Sequence, residues 1–255
     1  MALDPLASFR LDERVVLVTG ASSGLGHRFA RVVDAVGARV AITARRRDRL
    51  EELAAELRDP LVIAADLTEE GATERVVAET VAHFGRVDVL VNNAGVSNPV
   101  RALDESNEHF DLTVATNLLA PFRLARDAAR VMIADGGGVV VNVGSVWGVV
   151  GVGMIPEAGY AASKGAIISL TRELAAQWGR KGVRVNALCP GWFPTEMTSN
   201  MFGDERSENW MEQRTPMARG GREGELDGAL LYLASAASTF TTGSTLVVDG
   251  GWTAV

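Results

Sequence analysis

Tyr160 and Lys164 stand four positions apart in a chain of 255 residues that holds two Tyr and, against 23 Arg, only two Lys. Scattered at random, a Tyr four places before a Lys arises by accident in roughly two chains in a hundred. On a helix the two side chains share one face, one turn apart. The chemistry they suit is reduction of a carbonyl by hydride, in which the oxygen becomes an alkoxide and needs a proton. A free Tyr, with a pKa of about 10, is a poor donor near neutral pH. A nearby ammonium favours phenolate, and each unit of lowering corresponds to about 1.4 kcal/mol. Lys serves here better than Arg, because a compact ammonium can also donate to ribose hydroxyls. A surface Tyr and Lys at helix spacing is the plain alternative, disfavoured in a chain that elsewhere uses Arg.

Hydride has to come from a cofactor, and the chain has a place for one. Thr19-Gly20-Ala21-Ser22-Ser23-Gly24-Leu25-Gly26 follows an apolar run directly and opens a helical segment. Glycines there allow a tight turn and let the backbone approach a pyrophosphate, which the free amides and dipole of a helix N-terminus favour. No Lys follows the glycines, so the loop reads as a dinucleotide site rather than a triphosphate P-loop. After the second apolar run comes Thr43-Ala44-Arg45-Arg46-Arg47. It has no carboxylate for an adenosine ribose and has guanidiniums for a 2′-phosphate, which favours NADP(H), with NAD(H) as the alternative.

The elements that must position these residues alternate along the chain. Strand signals fall at Val15 to Thr19, Arg39 to Thr43, Leu61 to Ala65, Val87 to Val91, Val139 to Val143, Val183 to Leu188 and Thr245 to Val248. Most are apolar throughout, as strands covered on both faces must be. Between them, Arg47 to Leu57, Glu69 to Phe84, Phe110 to Ala134, Tyr160 to Trp178 and Glu223 to Ala234 place apolar residues three and four apart. This predicts an α/β fold, a doubly wound parallel sheet flanked by helices. With no repeat or linker, residues 1–255 read as one domain, and the irregular stretch 191–221 reads as its lid.

Composition removes competing classes. A net charge of −7 disfavours nucleic acid or an anionic membrane as partner. A lone Cys189 and dispersed His27, His83 and His109 offer no metal-binding spacing. The uncharged stretch from Gly136 to Pro156 contains seven Gly, Asn142 and Ser145, and reads as a buried strand and loop rather than a membrane span. The N-terminal residues, with Asp4, Asp12 and Glu13, do not read as a secretory signal, so a cytoplasmic protein is expected.

TGxxxGxG at Thr19 to Gly26, Asn92-Asn93-Ala94-Gly95, Asn117, Ser145 and Tyr160-Ala161-Ala162-Ser163-Lys164 occur in one order. In that order the chain resembles the short-chain dehydrogenase/reductase family, from about Val15 to Gly251. The resemblance implies a Rossmann-type fold with a seven-stranded parallel sheet. It implies that Ser145 bonds the substrate oxygen, Tyr160 passes the proton, and Lys164 lowers the Tyr160 pKa and holds the nicotinamide ribose. Asn117 would anchor a water relay to Lys164. Asp66 would accept from the adenine amino group beside Leu67. Gly20, Ser22, Ser23, Gly24, Leu25, Gly26, Arg45, Arg46, Asn93, Ala94 and Gly95 would line the cofactor, with Pro190, Gly191 and Thr195 over the nicotinamide. Two departures stand out: the Ser145–Tyr160 interval is about two residues longer than usual, and Ser23 stands before Gly24 where NADP-preferring members often carry a basic residue.

The pocket wall should come from the loop after Ser145 and the stretch after Gly191, through Trp147, Met154, Trp192, Phe193 and Met197. Thioethers and aromatics suit a ketone or secondary alcohol with an apolar substituent. Alternatives are 3-oxoacyl-[acyl-carrier-protein] reduction, NAD-dependent oxidation of sugar acids or polyols, and, from another class, a catalytically silent dinucleotide sensor, against which the complete Asn, Ser, Tyr and Lys set weighs. The terminal Thr242 to Gly251 resembles the family's last edge strand, so a homotetramer or homodimer is expected.

Overall fold

Short runs of Val, Ile and Leu have no polar face to present to water, so each becomes a strand covered on both sides. In the computed structural model, which describes residues 4–255, these strands are β1 (Val15–Thr19), β2 (Arg39–Ala44), β3 (Leu61–Ala64), β4 (Val89–Asn92), β5 (Gly138–Val143), β6 (Val183–Pro190) and β7 (Thr245–Val248). All pair in parallel, in the order β3-β2-β1-β4-β5-β6-β7.

The connecting helices are α1 (Gly24–Ala35), α2 (Arg47–Ala54), α3 (Ala72–Phe84), α4 (Asn107–Val114), α5 (Ala120–Ala134), α6 (Ala158–Trp178), α7 (Glu205–Arg214) and α8 (Asp227–Ala234). Alternate residues of β1 serve opposite faces of the sheet. Val16 and Val18 pack with Phe29 of α1 and Leu230 of α8, whereas Val15 and Leu17 pack with Val76 of α3 and Leu124 of α5. Strand order reverses between β1 and β4, which opens a crevice beyond their carboxyl ends. This is the doubly wound arrangement expected from the alternation of runs.

Several helix and strand ends shift by two to four residues, and two departures from the sequence-based expectation change the site's surroundings. The helix expected over Phe110 to Ala134 begins earlier, at Asn107, and is interrupted by a π-helical turn at Ala115–Leu119 that holds Asn117 buried. The stretch 191–221, expected to be irregular, contains α7. Asp204 caps it by accepting from the Ser207 amide at 2.9 Å, Glu205 and Glu208 occupy its first turn, and Arg214 its last. Its mostly polar sequence has a weak apolar period, so the capping pattern was the legible signal. Among the described residues no helix is long and apolar enough to cross a membrane.

Candidate active site

The crevice is built around Thr19 at the end of β1. Its hydroxyl accepts from the backbone amides of Asn93 and Ala94 at 3.0 and 2.9 Å, and the Asn93 amide group donates to the Thr19 carbonyl at 2.9 Å. These bonds stitch the loop after β4 to the loop after β1. Gly20 and Gly24 take left-handed φ values of 65° and 55°, a conformation glycine adopts without strain. Gly26 is wedged beneath the turn, where a Cβ would lie 2.3 Å from the Gly20 carbonyl oxygen. Ser23 caps α1 without a side-chain bond. The first amides of α1 are therefore left for an anion, as a pyrophosphate site requires.

At the outer end of the crevice the two arginines differ. Arg46 is engaged: its guanidinium forks onto Glu196 at 2.9 and 2.8 Å and donates to Ser22 and Ser23 at 3.2 and 2.8 Å. Arg45 is two-thirds exposed, its nearest carboxylate being Asp66 at 3.9 Å. Asp66 itself accepts from the amide and hydroxyl of Thr68 at 2.9 and 2.7 Å.

Ser145, Tyr160 and Lys164 converge at the other end. Ser145 follows β5 and caps a short 3-10 turn, Val146–Gly148. Gly148 lets that turn lie on α6, since a Cβ there would come 2.6 Å from the Lys164 carbonyl. Lys164 is buried, donates to the Val143 carbonyl at 2.8 Å, and sits 5.5 Å from the centre of the Tyr160 ring. Burial holds the Tyr160 phenol well above its ordinary pKa of 10, against a lowering contribution from Ser145. Burial likewise pulls the Lys164 ammonium down to about 8. Desolvation thus drives both groups toward their neutral forms.

Asn117 lies behind this trio rather than in the cleft wall. It accepts from the Val96 amide and donates to the Val96 carbonyl, both at 2.8 Å, and donates to Ser163 at 3.2 Å. Its amide group therefore clamps the loop after β4 to α6. Gly95 passes between, a Cβ there lying 3.3 Å from the Asn117 carbonyl oxygen and 3.6 Å from Lys164 Nζ.

One cleft of about 740 Å3 joins the two ends. Its lining includes Gly20, Ser22, Ser23, Gly24, Leu25, Arg45, Arg46, Asp66, Leu67, Asn93, Ala94, Gly95, Pro190, Gly191 and Thr195, together with Ser145, Tyr160 and Lys164. Trp147, Trp192, Phe193 and Met197 also line it. Trp147 meets the Tyr160 ring edge-on at 6.0 Å and Trp192 at 4.7 Å, and Trp192 packs in turn on Trp210 and Trp252. Phe193 lies at the junction with the core, its ring over Gly221. Met154 does not line the cleft: it is 61% exposed, its sulfur accepting from the Trp210 indole at 3.2 Å. Its exposure corrects the pocket expectation. Glu157, Ser97 and Glu196 line the cleft without having been singled out, since no periodicity or glycine pattern marks them. Among the described residues no three His, Cys, Asp or Glu side chains gather as a metal site would need.

This geometry can be compared with known proteins. A family model described as enoyl-(acyl carrier protein) reductase matches residues 20–253. Galactitol 2-dehydrogenase (L-tagatose-forming) of Cereibacter sphaeroides is 40% identical, over 98% of this chain and 99% of that one. Cis-4-hydroxycyclohexanecarboxylate dehydrogenase of Sinomonas cyclohexanicum is 36% identical, over 95% and 98%. The crystal structure of a gluconate 5-dehydrogenase from Burkholderia cenocepacia J2315 in complex with NADP and tartrate superposes with a TM-score of 0.94, at 36% identity, over 99% and 100%. A parallel seven-stranded sheet, a glycine cradle for a nicotinamide dinucleotide and these matches lead to one conclusion: the chain belongs to the short-chain dehydrogenase/reductase family, as an NAD(P)-dependent oxidoreductase of CH–OH and C=O groups.

Proposed function

We propose that the chain interconverts a ketone and a secondary alcohol bearing an apolar substituent, with NADP(H) as its cofactor. The observation that carries the reading is the convergence of Ser145, Tyr160 and Lys164 beside the Trp147 and Trp192 rings in a single cleft. A nicotinamide bound there supplies or takes the hydride. The chain's own residues handle the proton and the oxygen: Ser145 donates a hydrogen bond to the substrate oxygen, and Tyr160 gives it a proton during reduction or takes one during oxidation. Lys164 holds the cofactor ribose and stabilises the phenolate that forms when Tyr160 gives up its proton. Asn117 acts as a positioning residue, holding the loop against α6, and a water relay from it to Lys164 fits its place beside Gly95.

The NADP(H) preference is supported by exposed Arg45 at the end of β2 and by Arg46 next to Ser22 and Ser23. Bound NADP in the Burkholderia relative agrees with it. The whole chain works as one dinucleotide-binding and catalytic domain, with 191–221 as its lid, in the cytoplasm and as a homotetramer or homodimer.

A neutral polyol is the second reading, favoured by the likeness to galactitol 2-dehydrogenase and by the polar Glu157–Ser97 pair in an otherwise aromatic wall. An acyl-carrier substrate has less support, since Arg219, one of the basic residues near the lid, is already held by Glu225 at 2.7 and 2.8 Å. Titration with NADPH and NADH, followed by a panel of ketones and alcohols, tests the proposal. Tighter NADPH binding and turnover of ring or aryl ketones are expected. Equal affinities would overturn the cofactor assignment, and turnover confined to polyols would overturn the apolar substituent.

A further inference from the structure

Glu157 stands at the N-cap of α6, three residues before Tyr160, yet its side chain makes no capping bond. Its backbone is fixed independently, by a parallel bridge to Val100 and by the bond from the Val100 amide to the Pro156 carbonyl at 2.9 Å. The residue is 8% exposed and lines the cleft beside Ile155 and Tyr160. One carboxylate oxygen accepts from the Ser97 hydroxyl, and the other has no hydrogen-bond partner among the described residues. A carboxylate that neither caps its helix nor pairs with a cation, and that is buried against a cleft, has an acceptor left to offer.

Among the described residues no cation is paired with it. The cleft's other charged lining residues are Arg45, Arg46, Asp66 and Glu196 at the nucleotide end, and Lys164, which is committed to the Val143 carbonyl. No guanidinium lines the wall formed by Trp147, Ile155 and Glu157. Glu105, itself nearly buried against Gly159 and paired with His109 at 3.0 Å, adds a second carboxylate behind Glu157.

We propose that Glu157 determines the charge of the substrate: the pocket takes alcohols and ketones that carry a hydroxyl or ammonium group away from the reacting carbon, and rejects those that carry a carboxylate. A hydroxyl or ammonium completes the free oxygen of Glu157, whereas a substrate carboxylate meets like charge in a poorly solvated site. Burial holds the Glu157 carboxyl above its ordinary pKa, a penalty that an ammonium relieves and a second carboxylate deepens. This specificity rests on the ketone and alcohol reading of the cleft, but sets the chain apart from sugar-acid dehydrogenation.

The test measures binding apart from turnover. Calorimetry on the protein saturated with NADP+ compares cyclohexylammonium with cyclohexanecarboxylate, and turnover is followed with cyclohexanol, 4-aminocyclohexanol and 4-hydroxycyclohexanecarboxylate. The ammonium should bind about tenfold or more tightly than the carboxylate, Glu157→Gln should bring the two within about threefold, and Glu157→Asp should keep the preference. Equal binding in the parent protein, no binding of either ion, or a preference unchanged in Glu157→Gln overturns the proposal. A cation preference that Glu157→Gln abolishes, without turnover of any ring alcohol, upholds Glu157 and overturns the apolar-ring reading instead.

Discussion

The Lys164 ammonium donates to the Val143 carbonyl at 2.8 Å while lying 5.5 Å from the centre of the Tyr160 ring. One end of β5 and one face of α6 are thereby joined through the charge that the reaction uses. A longer, planar guanidinium does not fit the same space, since Nζ already lies 3.6 Å from where a Cβ on Gly95 would stand. Lys164→Arg should therefore lower kcat/KM by about a hundredfold or more. Lys181→Arg, in a short 3-10 turn remote from the cleft, should leave kcat/KM unchanged.

The same burial makes Lys164 a cost to the fold. Its pKa falls from 10.5 to about 8, so between those values the unfolded chain binds a proton that the folded chain does not, and stability rises with pH. The stabilisation is complete above 10.5 and is lost as pH falls through about 8. Lys164→Met should abolish this pH dependence and, at neutral pH, recover up to about 3 kcal/mol, less what the lost bond to Val143 contributes. Urea unfolding at pH 7 and pH 10 on both proteins checks the sign.

Arg46 is held by Glu196, whose carboxyl the guanidinium keeps down at about 2. A 2′-phosphate at this end would compete with Glu196 for the same donors. Arg45→Ala and Arg46→Ala should each weaken NADPH by about tenfold or more and NADH little, whereas Glu196→Gln should tighten NADPH. Fluorescence titration of each variant with both dinucleotides measures this.

Gly26→Ala should act on the cradle alone. Its Cβ would lie 2.3 Å from the Gly20 carbonyl oxygen and 2.4 Å from the Asn93 amide nitrogen, so the stitched loops must separate. Stability should fall by about 1–3 kcal/mol, and dinucleotide affinity should fall with it. Thermal unfolding with and without NADPH separates the two effects.

β7 is one edge of the sheet, and Leu119 of the π-helical turn and Phe122 of α5 are exposed apolar side chains. Uncovered edges and apolar surface of this kind are a liability in water. Light scattering should give a dimer or tetramer, and a monomer would refute the assembly.

Residue types and spacing alone determined the alternation of strands and helices, the glycine turn after β1, and the Tyr160–Lys164 pair. These are local properties: apolar runs, φ freedom and one helical turn can each be read from neighbours in the chain. Tertiary structure decided the rest. Glu157 gains its meaning only because Ser97, sixty residues earlier in the chain, reaches its carboxylate and the cleft buries it. Met154, by contrast, was expected in the pocket on side-chain type, and the fold leaves it in solvent with its sulfur on the Trp210 indole. The Tyr160 pKa likewise depends on how much water the packed site excludes, a property of the assembled fold to which the spacing of Tyr160 and Lys164 gives no access.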